Sequence, residues 1–177
     1  ATGTENVFVA TDDARIRASC AAFGAQVVMT GSDCLTGTDR VAEAAQQIPH
    51  AFLVNVQGDE PLLDPAVIRG VAETLARDRN AAIATACHPL ADPAEFFAPN
   101  IVKVVCDERG AALYFSRAPI PWDRNQFANG NQAITANFPY LRHIGLYAYT
   151  VYFLQQYCLW QTSAIETVEC LEQLRIL

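Results

Sequence analysis

Lysine is nearly absent from this sequence: Lys103 is the only one in 177 residues. A phosphate-binding loop of the form G-x-x-x-x-G-K-[ST] is therefore impossible within it. No two glycines stand one residue apart, which removes the dinucleotide fingerprint G-x-G-x-x-G, and no G-x-S-x-G occurs either. The six cysteines (Cys20, Cys34, Cys87, Cys106, Cys158 and Cys170) form no C-x-x-C pair, so their spacing points to neither a zinc site nor a thioredoxin-like centre. Cys20, Cys87 and Cys106 lie in Ala- and Val-rich surroundings, where a free thiol packs as a small hydrophobe. Reduced core cysteines of a cytoplasmic protein are the expectation. Basic side chains are few, 12 against 19 acidic for a net charge of −7, and no Lys/Arg cluster advertises a nucleic-acid face. No apolar run approaches the length of a membrane span. The start, ATGTEN, has neither the regions of a signal peptide nor an initiator Met, so the stretch is expected to begin inside a longer chain.

What is present is an alternation of short apolar runs with amphipathic stretches. With 51% hydrophobic residues the chain can build one ordinary core, and a single domain over 1–177 is expected. "NVFVAT" (6–11), "QVVMT", "AFLVNV" and "AAIATAC" read as strands. Helices are expected over 13–23 with Asp12 or Asp13 as cap and Gly24 as stop, from about Asp39 to Ile48, and over 65–77 behind Asp64 and Pro65. Strands apolar on both faces, alternating with helices, argue for an α/β fold: a mostly parallel sheet covered by helices on both sides. After Asp92 the pattern changes. "IVKVVCD" and "ALYFSR" flank Glu108-Arg109-Gly110, a hairpin signal. A polar segment runs from Pro119 to Pro139, followed by the strand "LRHIGLYAYT" and helices near 151–160 and 163–174. The final "LRIL" reads as the approach to another strand.

Three places carry candidate chemistry. "LVNVQGDEPLLDP" sets an Asn inside an apolar run and then breaks into Gln57-Gly58-Asp59-Glu60-Pro61. Ligands of open parallel sheets bind beyond the carboxyl ends of the strands, where Asp59 could hold Mg²⁺ through one carboxylate, with water and phosphate oxygens completing the shell. Gly-Asp-Glu-Pro is equally able to be a plain turn. "TGTDRV" (36–41) opens a helix whose free N–H groups can receive an anion, with Arg40 as a further donor, although helix-start grammar needs no ligand. In "RHIGLYAY" alternation sets His143, Gly145, Tyr147 and Tyr149 on one face, with His143 and Tyr147 about 13 Å apart along the strand, a spacing that could bracket a sugar. A lone His is more often structural. Arg117 could clamp a carboxylate bidentately. Glu172 is equally readable as one of a solvated helix stripe, Glu166, Glu169 and Glu172.

Together "VNVQGDEPLL", "TGTDR", "PNIVKVV", "ALYFSRAPIPWDR", "LRHIGLYAY" and "LEQLRIL" resemble the CMP-Kdo synthetases, the 3-deoxy-manno-octulosonate cytidylyltransferases, in order and over nearly the whole chain. The resemblance implies a Rossmann-like nucleotidyltransferase fold with a nucleotide-binding portion over 1–91. Residues 92–177 would form an antiparallel sugar-binding and dimerisation portion. It implies a cytoplasmic, Mg²⁺-dependent homodimer that joins CTP to the sugar acid Kdo, releases pyrophosphate and serves lipopolysaccharide synthesis, with no nucleic-acid or membrane partner. By the same resemblance Asp59 is the metal-binding aspartate, and Gln57 faces nucleotide and sugar. Gly37 and Arg40 line the cytidine pocket, and Arg117, His143, Tyr147, Glu172 and Gln173 hold Kdo. Asp59 and Arg117 are the expected catalytic pair. The family's triphosphate-cradling loop would precede Ala1, and its second metal-binding aspartate would follow Leu177, so these residues alone are expected to be nearly inactive. The rival readings are a CMP-sialic acid synthetase, favoured less by "YFSRAPIPW" and "RHIGLYAY", and a non-catalytic sugar-nucleotide-binding module.

Overall fold

Asp13, Thr36, Asp64 and Asp92 each place a side-chain oxygen at the start of a helix, where it accepts an otherwise orphaned backbone N–H. The helices they open are α1 (Ala14–Ala22), α2 (Gly37–Ala45), α3 (Pro65–Arg77) and α4 (Pro93–Phe97). Helix α2 starts earlier than the sequence reading placed it, because Thr36 and Asp39 close a reciprocal capping box. Helix α4 was not expected, yet Asp92-Pro93 repeats the grammar of Asp64-Pro65. The strands are β1 (Phe8–Thr11), β2 (Gln26–Met29), β3 (Phe52–Val56), β4 (Ile83–Pro89), β5 (Lys103–Cys106), β6 (Ala112–Ser116) and β7 (Leu141–Thr150). Helices α5 (Arg124–Phe127), α6 (Val151–Tyr157) and α7 (Ala164–Glu169) and a closing 3-10 turn, Glu172–Arg175, complete the order. The computed structural model describes residues 7–34, 36–58, 62–128, 130, 133–135 and 138–177.

Strands β1 and β2 pair in parallel, Phe8 opposite Gln26, as a β-α-β crossover through α1 requires. The second sheet runs β3-β7-β5-β6, with β4 also on β7. Its hairpin β5/β6 is antiparallel, Lys103 opposite Ser116, and Gly110 supplies the positive φ of 86° that the turn needs. The fold is thus α/β with parallel and antiparallel pairings. Two compact units divide the chain: residues 1–84 with 148–159, and 85–147 with 160–177. In the first, Val28, Ala44 and Ile48 form a core with Phe8, Ala10 and Leu53 against it. In the second, one cluster joins Val104, Phe115, Leu171 and Leu174, and another joins Leu90, Phe96, Phe127 and Tyr140.

Two expectations fail. The stretch 163–174 is not one helix: Cys170 takes a left-handed conformation (φ 51°), which ends α7 ahead of the 3-10 turn Glu172–Arg175. All six cysteines are free thiols, but of the three expected in the core only Cys20 is buried; Cys106 is half-buried and Cys87 exposed. Among the described residues no helix is long and apolar enough to cross a membrane.

The aromatic cluster gives a direct stability test. Phe96 is fully buried, with Tyr140 at 4.6 Å and Phe127 at 5.8 Å between ring centroids. Phe96→Ala is expected to cost about 3–5 kcal/mol in urea unfolding, through lost burial and a cavity that the rings cannot close. A cost under about 1 kcal/mol would mean that the cluster repacks freely.

Candidate active site

In the first unit the polar groups gather where β1, β2 and β3 end and α2 begins. Arg40, in the opening turns of α2, donates through Nη1 to Thr30 Oγ1 at 2.6 Å, just beyond β2, and pairs with Asp12 Oδ1 at 3.2 Å, just beyond β1. Its guanidinium is thereby fixed at the carboxyl edge of the parallel pair. Thr38 is buried, and its hydroxyl meets the Tyr149 hydroxyl at 3.2 Å. Gln57 leaves β3 on the same edge, and its amide lies over Gly37: a Cβ added there would come to 3.2 Å from Nε2 and 3.4 Å from Oε1. The Asn that interrupts the apolar run, Asn55, shares a strand face with Leu53 and Gln57 by alternation. It is buried, and its Nδ2 has no acceptor among the described residues. The structure thus brings Gly37, Arg40 and Gln57 together. Asp59, with Glu60 and Pro61, lies outside the described residues.

Nearby, Glu43 accepts the Gly31 N–H at 2.9 Å and the Cys34 thiol at 3.2 Å, with Asp33 alongside. Burial, followed by the bond to Glu43, pushes the Cys34 thiol up to about 11. The thiol stays protonated at neutral pH, so this cluster anchors the loop before α2 as a hydrogen-bonded group.

The second unit holds the remaining candidates. Phe115 ties two of its parts together, because it packs with Leu171 and Leu174 and sets its ring 4.9 Å from His143, edge to face. His143 and Tyr147 share one face of β7 with Gly145 between them, and their ring centroids are only 5.4 Å apart. The backbone spacing expected from the sequence does not separate the side chains, because Gly145 between them leaves the rings free to lean together. His143 is 8% exposed, and its Nε2 meets Thr85 Oγ1 at 2.8 Å. Burial drives its imidazole down to about 4, so the ring is neutral at physiological pH.

Arg117 is held by backbone oxygens. Nε donates to Glu169 O at 2.7 Å, Nη1 to Pro99 O at 3.1 Å and Nη2 to Cys170 O at 3.2 Å. The turn that carries the half-buried Glu172 and the buried Gln173 is therefore fastened to the end of β6. Glu166 and Glu169 are not the solvated stripe that their spacing offered. Glu166 caps α7 through Ser163 and pairs with Arg175 at 2.5 Å. Glu169 accepts from Ser116 Oγ at 2.6 Å and Arg117 N at 2.9 Å. Burial raises the Glu169 carboxyl, but these bonds outweigh it and hold the group below the usual carboxylate range. Sequence reasoning missed Lys103, Thr85 and Glu169 as parts of this scaffold. Lys103 alone carried a signal, a single cation inside the apolar run "IVKVV".

A family model described as Cytidylyltransferase matches residues 1–177. The 3-deoxy-manno-octulosonate cytidylyltransferase of Pseudomonas syringae pv. tomato is 51% identical over 176 residues, 98% of this chain and 69% of that protein. That of Idiomarina loihiensis is 48% identical over 180 residues, the whole of this chain and 71% of its own length. Among solved structures, a CMP:2-keto-3-deoxy-manno-octonic acid synthetase complexed with CTP superposes with a TM-score of 0.87 at 40% identity, over 97% of this chain and 67% of that one.

Two measurements follow. The folded value of His143 lies below the ordinary 6.5, so its contribution is harmless above about 6.5 and costs stability as pH falls toward about 4, where the unfolded chain binds a proton that the folded chain refuses. The loss approaches about 3 kcal/mol, and urea titrations at several pH values should show a shallower fall for His143→Gln across that window. Parallel slopes would exclude this source. Gly37→Ala should change stability by less than about 0.5 kcal/mol while displacing the Gln57 amide, so any loss of nucleotide binding would be local.

Proposed function

The chain belongs to the cytidylyltransferase family, and we propose that it transfers CMP from CTP to the anomeric hydroxyl of Kdo, giving CMP-Kdo and pyrophosphate. The observation that carries this reading is identity near 50% to 3-deoxy-manno-octulosonate cytidylyltransferases along essentially the whole of this chain. The 0.87 match to a synthetase complexed with CTP supports the nucleotide half.

Gly37, Arg40 and Gln57 are the groups assigned to the nucleotide, with Arg40 oriented by Asp12 and Thr30 so that its charge faces the strand ends. The buried Nδ2 of Asn55 is a further donor on that side. Arg117, His143, Tyr147, Glu172 and Gln173, in the second unit, are the groups assigned to the sugar acid. Because three guanidinium bonds of Arg117 go to carbonyls, its part in meeting the Kdo carboxylate falls to its remaining N–H groups and its charge. Tyr147 and neutral His143 offer hydroxyl-sized contacts that fix the ring, so that the reacting oxygen approaches phosphorus in line with the departing pyrophosphate.

Both reactants are anions. In the sequence the hard carboxylate of Asp59 follows directly on Gln57-Gly58, and such a donor suits Mg²⁺. Asp59 would hold the ion, which would supply neutralisation of phosphate-oxygen charge. Asp59 and Arg117 are thus the groups assigned to charge neutralisation. Activity as a cytoplasmic homodimer in the supply of activated Kdo for lipopolysaccharide, with the 119–139 segment among the contacts, belongs to the same reading.

Pyrophosphate release by the full-length protein, given CTP, Mg²⁺ and either Kdo or N-acetylneuraminate, tests it. Release is expected with Kdo alone, to be abolished by chelation and restored by Mg²⁺, and to fall at least about 100-fold in Asp59→Asn. Release with N-acetylneuraminate instead would move the sugar assignment. A folded protein that binds CTP and releases nothing with either sugar would be a binding module.

A further inference from the structure

Thr85 sits on β4 beside β7, and its hydroxyl has three neighbours there. His143 Nε2 and Leu146 O are each at 2.8 Å, and Ile144 O is at 3.3 Å. A hydroxyl has one proton to give, and a carbonyl oxygen can only accept. If Thr85 gave its proton to the imidazole, its oxygen would face Leu146 O at 2.8 Å with no hydrogen between them, and a buried acceptor would lose its donor. The arrangement that satisfies both 2.8 Å contacts sends the Thr85 proton to Leu146 O and leaves the Thr85 lone pair to receive Nε2–H. A neutral imidazole carries one proton, so Nδ1 is left as a bare acceptor. Among the described residues no hydrogen bond is recorded to Nδ1.

We propose that Thr85 is a positioning residue which, by relaying the β7 carbonyls to His143, fixes the Nε2–H tautomer and presents Nδ1 as a hydrogen-bond acceptor. The proposal rests on the reading of His143 as a Kdo contact and adds which part of the sugar acid it reads. An Nδ1 lone pair accepts from a sugar hydroxyl and repels a carboxylate or a carbonyl oxygen. His143 therefore selects a hydroxyl donor of Kdo, and the carboxylate is left to the cationic side of the unit. Burial supports the scheme from a second direction, because it keeps the ring neutral and so denies Nδ1 a proton of its own. The edge-to-face Phe115 ring and the leaning Tyr147 ring hold the imidazole plane in which this choice is made.

The test joins a spectroscopic readout to a kinetic one in the full-length protein. Two-bond ¹H–¹⁵N correlation of His143 is expected to show a pyrrole-type Nε2 and a pyridine-type Nδ1 in the wild type and in Thr85→Ser, which keeps the hydroxyl. Thr85→Val should lose that pattern and raise KM for Kdo roughly 3- to 10-fold, the worth of one hydrogen bond, with KM for CTP unmoved and Thr85→Ser restoring the wild-type value. A pyrrole-type Nδ1 in the wild type overturns the proposal, and so does a Thr85→Val protein unchanged in both tautomer and KM. A tautomer that changes in Thr85→Val with KM for Kdo unaltered overturns the sugar-facing role, and places the error in the assignment of His143 to Kdo.

Discussion

A buried ammonium governs the second unit. Lys103 is fully enclosed at the start of β5, and its Nζ gives hydrogen bonds to Ala98 O at 2.9 Å, Ile101 O at 2.6 Å and Arg117 O at 2.5 Å. Burial pulls its pKa down, while the nearby Glu169 carboxylate pulls it up. An unpaired charge in such a place would cost several kcal/mol, on the order of a whole domain's margin, so the three carbonyls must converge on it. That convergence fixes the backbone at residue 117, from which the Arg117 side chain reaches back to Pro99, Glu169 and Cys170. The turn bearing Glu172 and Gln173 is therefore positioned by a chain of donors that begins at one lysine.

The first unit solves a different problem. Its strand ends would leave polar backbone and side chains at an open edge, and the start of α2 supplies complementary groups. Thr36 and Asp39 satisfy one another's backbone, and Arg40 bridges the residues just beyond β1 and β2. Gln57 comes close enough to α2 that Gly37 has no room for a side chain without moving the amide. These are local consequences of strand-to-helix connections.

Legibility in the sequence followed locality. The cap at Asp64, the 65–77 helix and the β5/β6 hairpin depend on residues a few positions apart and could be read from spacing, which for α1 left Asp12 and Asp13 both open. What could not be read depends on contacts far along the chain: the Thr85–His143 bond spans 58 positions, and the Ser116–Glu169 bond spans 53. Glu166 and Glu169 look solvated by periodicity because nothing local reveals Arg175 or Ser116. The Cys170 break is similarly silent, since a non-glycine left-handed residue leaves no compositional mark. The separation of His143 from Tyr147 was misjudged for a simpler reason: strand rise measures backbone, and Gly145 lets the side chains close the distance.

The enclosure of Lys103 also shapes how these 177 residues meet reagents and modifying enzymes. Every other basic side chain apart from histidine is a guanidinium, which keeps its charge at any pH the protein survives. Amine-directed labels, cross-linkers, and acetyl or ubiquitin transfer find no lysine on the outside of this stretch. The one ε-amine stays out of reach until the second unit opens, so amine reactivity there would report unfolding rather than surface exposure.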